Sequence, residues 1–214
     1  MSLPHGVIIA GGKGERLGSV RKAQIRIGGI RLIDRVAAAL NGLETLLVAV
    51  GPVDDGRNTL QRAATVTDLD SPVGGPLAGL AAAVDWLTRN GITQGQLLSS
   101  AVDTPFLPSD FSIVLRHHIG DAPAAYAAWD DQFYPPNALW QLSALQDLPG
   151  RVRDDRAPPS LKALLRDLGA VEVDWQTRAA ENPFVNLNTL DDLVTLGRRM
   201  KKATLSPLIH KRDD

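Results

Sequence analysis

A chain of 214 residues, 44% hydrophobic and 22% charged, has the makeup of one folded domain and not of a disordered segment. Its 23 Lys and Arg against 24 Asp and Glu leave a net charge of −1, which denies it the basic field of a general nucleic-acid binder; any bound anion must be held by a local cluster. The absence of cysteine removes disulfides, thiolate zinc sites and a thiol nucleophile. No apolar run approaches the ~20 residues of a membrane span, and Met1–His5 lacks a basic-then-apolar leader. The expectation is a cytoplasmic protein that engages neither nucleic acid nor membrane, with residues 1–197 as one domain and 198–214 as a basic helix end and tail.

In chain order, Val7–Ala10 is a short apolar run closed by glycines. Gln24–Gly29 alternates and turns, as a small hairpin would. Leu32, Ile33, Val36 and Leu40 share one face of a helix, with Gly42 as its stop. Leu46–Val50, closed by Gly51-Pro52, and Ala64–Asp68 read as further buried strands. Pro76 suits the first turn of an Ala-rich helix over Leu77–Asn90 that Gly91 ends. Gln96–Val102 is another strand. Ser109 is placed to cap a helix carrying Phe111, Val114, Leu115 and His118, and Ser160 one carrying Leu161, Leu164, Leu165 and Leu168 before Gly169. Arg151–Pro159 reads as an exposed charged loop. Thr189 and Asp192 have the spacing of a capping pair. The alternation predicts an α/β fold, three layers around a mostly parallel sheet.

The most informative segment is Ala10-Gly11-Gly12-Lys13-Gly14-Glu15-Arg16-Leu17-Gly18-Ser19-Val20-Arg21-Lys22. Glycines let successive N–H groups converge on an oxyanion, and Lys13, Arg16, Arg21 and Lys22 add charge. A structural turn is the alternative, but turns rarely carry four basic residues among their glycines. A Walker A loop needs Gly-Lys-[Ser/Thr], whereas Gly18 precedes Ser19-Val20. The dinucleotide fingerprint needs a third glycine where Leu17 stands, and a helix where the hairpin comes; an NAD(P)-binding protein is therefore a weaker reading.

Transfer of a phosphoryl or nucleotidyl group uses Mg²⁺ held by few carboxylates. Asp103 ends a strand, and Pro105 stops that strand so that the side chain is left at the rim where open α/β sheets bind ligands; a turn-initiating Asp before Thr-Pro is the alternative. Asp68 ends another strand, and Gly74-Gly75-Pro76-Leu77-Ala78-Gly79 follows it into a helix whose N-terminal amides can meet an anion or a ribose hydroxyl. The alternative there is a tight loop before a packed helix.

These residues carry a family resemblance. Ala10-Gly11-Gly12-x-Gly14-x-Arg16-x-Gly18-x-x-x-Lys22 resembles the signature loop of the MobA-like nucleotidyltransferases. Asp68 with Gly75-Pro76-Leu77-Ala78-Gly79 resembles the family's D…GPLAG motif, and Asp103-Thr104-Pro105-Phe106-Leu107 its D-x-P-x-[LI] motif. Phe184-Val185-Asn186-Leu187-Asn188-Thr189-Leu190-Asp191-Asp192-Leu193 is similar to its F-x-N-[IVL]-N-[TS]-x-x-[ED]-L segment. The resemblance implies a Rossmann-like nucleotidyltransferase fold, with Ala10, Gly11 and Gly12 near base and phosphates. It implies Arg16 and Lys22 on the phosphates, Asp68 on the nucleotide, Asp103 on Mg²⁺, and Asn186 and Asn188 on the acceptor side. It further implies Mg²⁺-dependent transfer of a nucleoside monophosphate, GMP favoured, from an NTP to a phosphorylated acceptor, molybdopterin favoured, with release of pyrophosphate and with transient contacts to cofactor-biosynthesis proteins. A phosphate nucleophile is already anionic, so no general base is needed, and none of the four histidines shows a catalytic pairing.

The chain departs from the family pattern in three places. The second strand ends Val50-Gly51-Pro52 where guanylyltransferases often have Asn, Arg21 stands before the motif lysine where Asp is common, and Tyr134-Pro135-Pro136-Asn137 replaces a frequent His-Pro. The motifs are specific for the family and not for base or acceptor. Transfer to another acceptor (a pterin with CTP, or a sugar phosphate) and a catalytically silent nucleotide-binding module are the competing readings.

Overall fold

The computed structural model describes residues 2–11, 21–52, 60–69 and 74–209, with side chains through 201. Its strands are β1 (His5–Ile9), β2 (Arg26–Ile27), β3 (Ile30–Arg31), β4 (Leu46–Ala49), β5 (Ala63–Val66), β6 (Gln96–Ala101), β7 (Ala124–Trp129), β8 (Gln132–Gln141) and β9 (Val171–Asp174). Its helices are α1 (Leu32–Ala39), α2 (Pro76–Arg89), α3 (Phe111–His118), α4 (Leu148–Arg153), α5 (Leu161–Leu168) and α6 (Leu190–Ile209). Seven strands form one sheet in the order β5-β4-β1-β6-β8-β7-β9, and β2-β3 is a separate hairpin. In the large sheet β8 alone runs against the others: it is antiparallel to both β6 and β7, while β1, β4, β5 and β6 pair in parallel and β9 pairs in parallel with β7.

The strands are apolar on both faces because each face is covered. From β1, Ile8 joins one core with Leu32, Val36, Phe111, Trp175 and Phe184. Val7 and Ile9 join the other with Leu47, Leu77, Leu80, Leu87 and Trp140. Helices α1 and α3 thus supply one layer and α2, α4 and α5 the other, the expected three-layer α/β/α arrangement.

Local signals explain most boundaries. Pro76 sits in the first turn of α2, and at its end Gly91 N–H and Ile92 N–H bond to Thr88 and Leu87 carbonyls. Ser160 Oγ accepts from Ala163 N–H at 3.1 Å, and Gly169 closes α5 at φ +69°. Two expectations are corrected. Asp110, not Ser109, stands at the cap of α3, with no side-chain bond to the helix; Phe111 N–H bonds to Pro108 C=O instead. The expected loop Arg151–Pro159 begins inside α4, because buried Val152 anchors that turn and Arg153 donates to Asp85 Oδ1 of α2 at 2.6 Å. Helix α6 runs without a break across the expected domain limit at residue 197.

Candidate active site

Four strand ends make a rim that runs from the β5 edge to the middle of the sheet. Ala10 and Gly11 leave β1, Gly51 leaves β4, Asp68 lies just past β5 and Asp103 just past β6. The chain crosses from the β4-β5 side back over β1 to reach β6, so the rim lies at the topological switch point where doubly wound sheets bind ligands. Hydrogen bonds extend the ladders beyond the strands and hold the rim together: Ala10 N–H to Ala49 C=O (2.7 Å), Val50 N–H to Val66 C=O (3.0 Å), Asp68 N–H to Gly51 C=O (2.9 Å) and Val102 N–H to Ile9 C=O (3.1 Å).

The chain ends of β1 and β4 meet backbone to backbone. A Cβ on Gly11 would lie 3.1 Å from Gly51 N and 3.2 Å from Gly51 Cα, and Gly51 itself has φ +89°. The approach is tight for any side chain at position 11, and the left-handed backbone at position 51 favours glycine there. Behind them α2 packs tightly: a Cβ on Gly79 would lie 3.1 Å from Ala49 Cβ and 3.9 Å from Asp68 Oδ1. Asp68 is half-buried, and burial pushes its carboxyl up from the usual carboxylate range. Among the described residues no side chain bonds to that carboxylate.

Lys22 opens a single 3-10 turn, Lys22–Gln24. Its Nζ lies 2.6 Å from Asp103 Oδ2 and donates to Asn188 Oδ1 at 2.5 Å. Lys22 and Asp103 side chains are only 14% and 15% exposed, so this pair is screened far less than a surface bridge. Asp103 is fixed from its backbone as well, since Leu187 N–H bonds to its carbonyl at 2.9 Å. The next residues form the anticipated capping box: Asp192 Oδ2 accepts from Asn188 N–H (2.9 Å) and Thr189 N–H (2.8 Å), and Thr189 Oγ1 accepts from Asp192 N–H (3.1 Å). Burial alone would push the Asp192 carboxyl up. The Asn188 amide, the Thr189 hydroxyl and amide, and the Lys22 charge outweigh it and hold the carboxyl below its usual range.

The comparisons with known proteins agree with this geometry. The family profile of the MobA-like NTP transferase domain matches residues 6–173. The chain belongs to the MobA-like NTP transferase family. A molybdenum cofactor guanylyltransferase of Nitrobacter hamburgensis is 33% identical over 199 residues, covering 91% of this chain and 93% of the relative. One of Rhodobacter capsulatus is also 33% identical over 199 residues, covering 92% and 96%. The crystal structure of molybdopterin-guanine dinucleotide biosynthesis protein A from Archaeoglobus fulgidus superposes with a TM-score of 0.73 at 21% identity, over 92% of this chain and 99% of that one. The last likeness speaks for the fold: this is a nucleotidyltransferase-type α/β sheet.

Of the residues the family motifs single out, the structure joins Lys22, Asp103 and Asn188 into one contact. Ala10, Gly11 and Asp68 lie at the same rim, Asp68 at the far end of it, past the edge strand β5. Asn186 is exposed two residues before Asn188. Gly12 and Arg16 lie outside the described residues. Sequence reading misses that Asp192 faces Lys22. The Thr189–Asp192 spacing reveals the cap, but only the return of the chain to β6 brings that cap beneath the lysine. Among the described residues no three His, Asp or Glu side chains converge into a metal cage, and no helix is long and apolar enough to cross a membrane. A rim with so few carboxylates suits Mg²⁺, which is held by one or two carboxylates with substrate phosphates and water completing the shell.

Proposed function

We propose that this protein is a Mg²⁺-dependent molybdenum cofactor guanylyltransferase, acting in the cytoplasm on GTP and molybdopterin. The observation that carries the reading is the Lys22 ammonium suspended between Asp103 and Asn188 at the mouth of a glycine-lined rim. A triphosphate in that mouth would meet the Gly11 and Gly12 amides, with Arg16 and Lys22 neutralising its charge. Asp68, at the head of the α2 loop, would contact the nucleoside end. Asp103 would hold Mg²⁺, which when bound supplies positive charge to the phosphate oxygens. A phosphate oxygen of molybdopterin attacks the α-phosphorus of GTP. The new P–O bond forms as the bond to the β-phosphate oxygen breaks, and pyrophosphate leaves with that electron pair. No proton needs to be taken from the nucleophile, which agrees with a site made of charge and amides. Asn186 and Asn188 lie on the acceptor side, and Asn188 also fixes the lysine that reaches the phosphates.

Pyrophosphate release from GTP, CTP and ATP, measured against molybdopterin and other phosphorylated acceptors with and without Mg²⁺, tests the proposal. The expected result is turnover with GTP and molybdopterin that stops on chelation. A preference for CTP would overturn the base, and turnover on a sugar phosphate alone would overturn the acceptor. Thermal stabilisation by Mg-NTP without turnover would mark a silent binding module; a ligand at ten times its Kd adds about 1.4 kcal/mol, a readily seen shift.

A further inference from the structure

Buried polar side chains are few among the described residues, and four of them, Ser99, Ser100, Thr104 and Asn137, gather at one end of β6. They do so because β8 bulges there. On its β7 side, Tyr126 pairs with Ala138 but Ala127 pairs with Tyr134, which leaves Pro135, Pro136 and Asn137 unmatched. On its β6 side the pairing stops at Ser99 and Ala138. The two prolines have no N–H to give, and the Pro136 carbonyl accepts from Ser99 Oγ at 2.8 Å. Val102 N–H points to β1, where it meets Ile9 C=O, so the last amide of β6 directed toward β8 is that of Ala101. Asn137 supplies its acceptor. The Asn137 Oδ1 accepts from Ala101 N–H and from Ser100 Oγ, each at 3.0 Å. Thr104 Oγ1 donates to the Ala101 carbonyl at 2.7 Å. The peptide groups on both sides of Ala101 are thereby locked, two residues before Asp103. A bulge beside a site commonly re-aims a side chain; here the re-aimed side chain staples the turn that bears the carboxylate.

We infer that Asn137 is a positioning residue that sets the aim of Asp103. The inference rests on the metal-holding role proposed for Asp103. Without the amide oxygen, Ala101 N–H loses its only partner toward β8, and the 101–104 turn can rotate to seek water, taking the carboxylate off line. Partners behind a metal ligand typically matter by about 10–100-fold in metal affinity or activity.

The test compares affinities for Mn-GTP and for metal-free GTP by calorimetry, with no acceptor present. Their ratio isolates the part of binding that depends on the metal. Asp103→Ala collapses the ratio. Asn137→Val is expected to lower it by about tenfold and to add nothing further in the Asp103→Ala background. Should Asn137→Val not fold, Asn137→Ser keeps the site polar but is too short to reach Ala101, and the same fall is expected. A folded Asn137 variant with the wild-type ratio, or one whose effect adds fully to that of Asp103→Ala, overturns the inference alone. A wild-type ratio in Asp103→Ala itself overturns the metal role beneath it.

Discussion

Two strand ends on the same rim, with β4 and β1 between them, handle a carboxylate in opposite ways. At the end of β6, Asp103 has Lys22 at 2.6 Å, the Leu187 amide on its carbonyl and a locked turn before it. At the end of β5, Asp68 is half-buried beneath α2, and burial raises its carboxyl with no partner among the described residues to lower it. The first charge is matched before any ligand arrives. The second is held at a cost that a ligand can relieve. The difference separates two jobs: keeping a charged group ready in one geometry, and storing unmet demand for a hydroxyl donor or cation.

Breaking the β6 side should have the larger effect. Asp103→Ala and Lys22→Ala are each expected to lower turnover by about 10²–10³-fold, the usual cost of removing one charge or donor from such a site. Circular dichroism should show both folded. Because the two groups act through one contact, the double variant should be barely slower than either single one. Wild-type-like turnover in either single variant ends the assignment, and full additivity ends the claim of a shared role.

A smaller effect is expected between the two ends. Gly11→Ala puts a Cβ 3.1 Å from Gly51 N, so the Gly51 backbone must give by a few tenths of an ångström, and neither side is a flexible side chain that can step away. Overpacking of this kind costs about 1–3 kcal/mol, or roughly 2–4 °C in Tm per kcal/mol in a chain of this size. Thermal melts and NTP titration should show both a lower Tm and about tenfold weaker nucleotide binding, each tenfold being about 1.4 kcal/mol. Unchanged affinity would mean that the close contact of Gly11 with Gly51 has no bearing on the phosphates.

The smallest effect belongs to Asp68, and it should have the opposite sign. A carboxyl whose value is raised by folding destabilises the fold when ionised, so the cost is absent below the unfolded value near ~3.9. It grows as pH rises toward the folded value and is complete above it. Asp68→Asn removes the cost, so its Tm should exceed that of the wild type at neutral pH, with the gain vanishing near about pH 4 and below. Its stabilisation by Mg-NTP should shrink. A variant less stable than the wild type at pH 7 would show that Asp68 is already satisfied.

Legibility in the sequence follows the same division. Strands β1, β4, β5 and β6 stand out as apolar runs between glycines and prolines, and their ends carry the motif residues. The hairpin β2-β3 and the helices α1, α2 and α5 are legible from period and caps. Strand β8 is not, because Pro135-Pro136 argues against a strand interior and only the bulge reconciles them with one. Strand β7 reads as an Ala-rich stretch with no alternation, and α4 is too short to show a period. At the site, residue types and their roles are readable one motif at a time. The pairing of Lys22 with Asp103 and Asn188, and the help Asn137 gives from the bulge, depend on sheet order and register, which no local pattern encodes.

The lysine trio spans nearly the whole polypeptide: Lys22 to Asp103 is a separation of 81 residues, and Lys22 to Asn188 one of 166. During synthesis the growing chain therefore exposes its glycine-rich segment long before the groups that will steady the lysine have been translated. A prematurely terminated product could build the first half of the sheet, yet it would lack the last contact that arms the centre. Readiness for chemistry therefore waits on synthesis through Asn188.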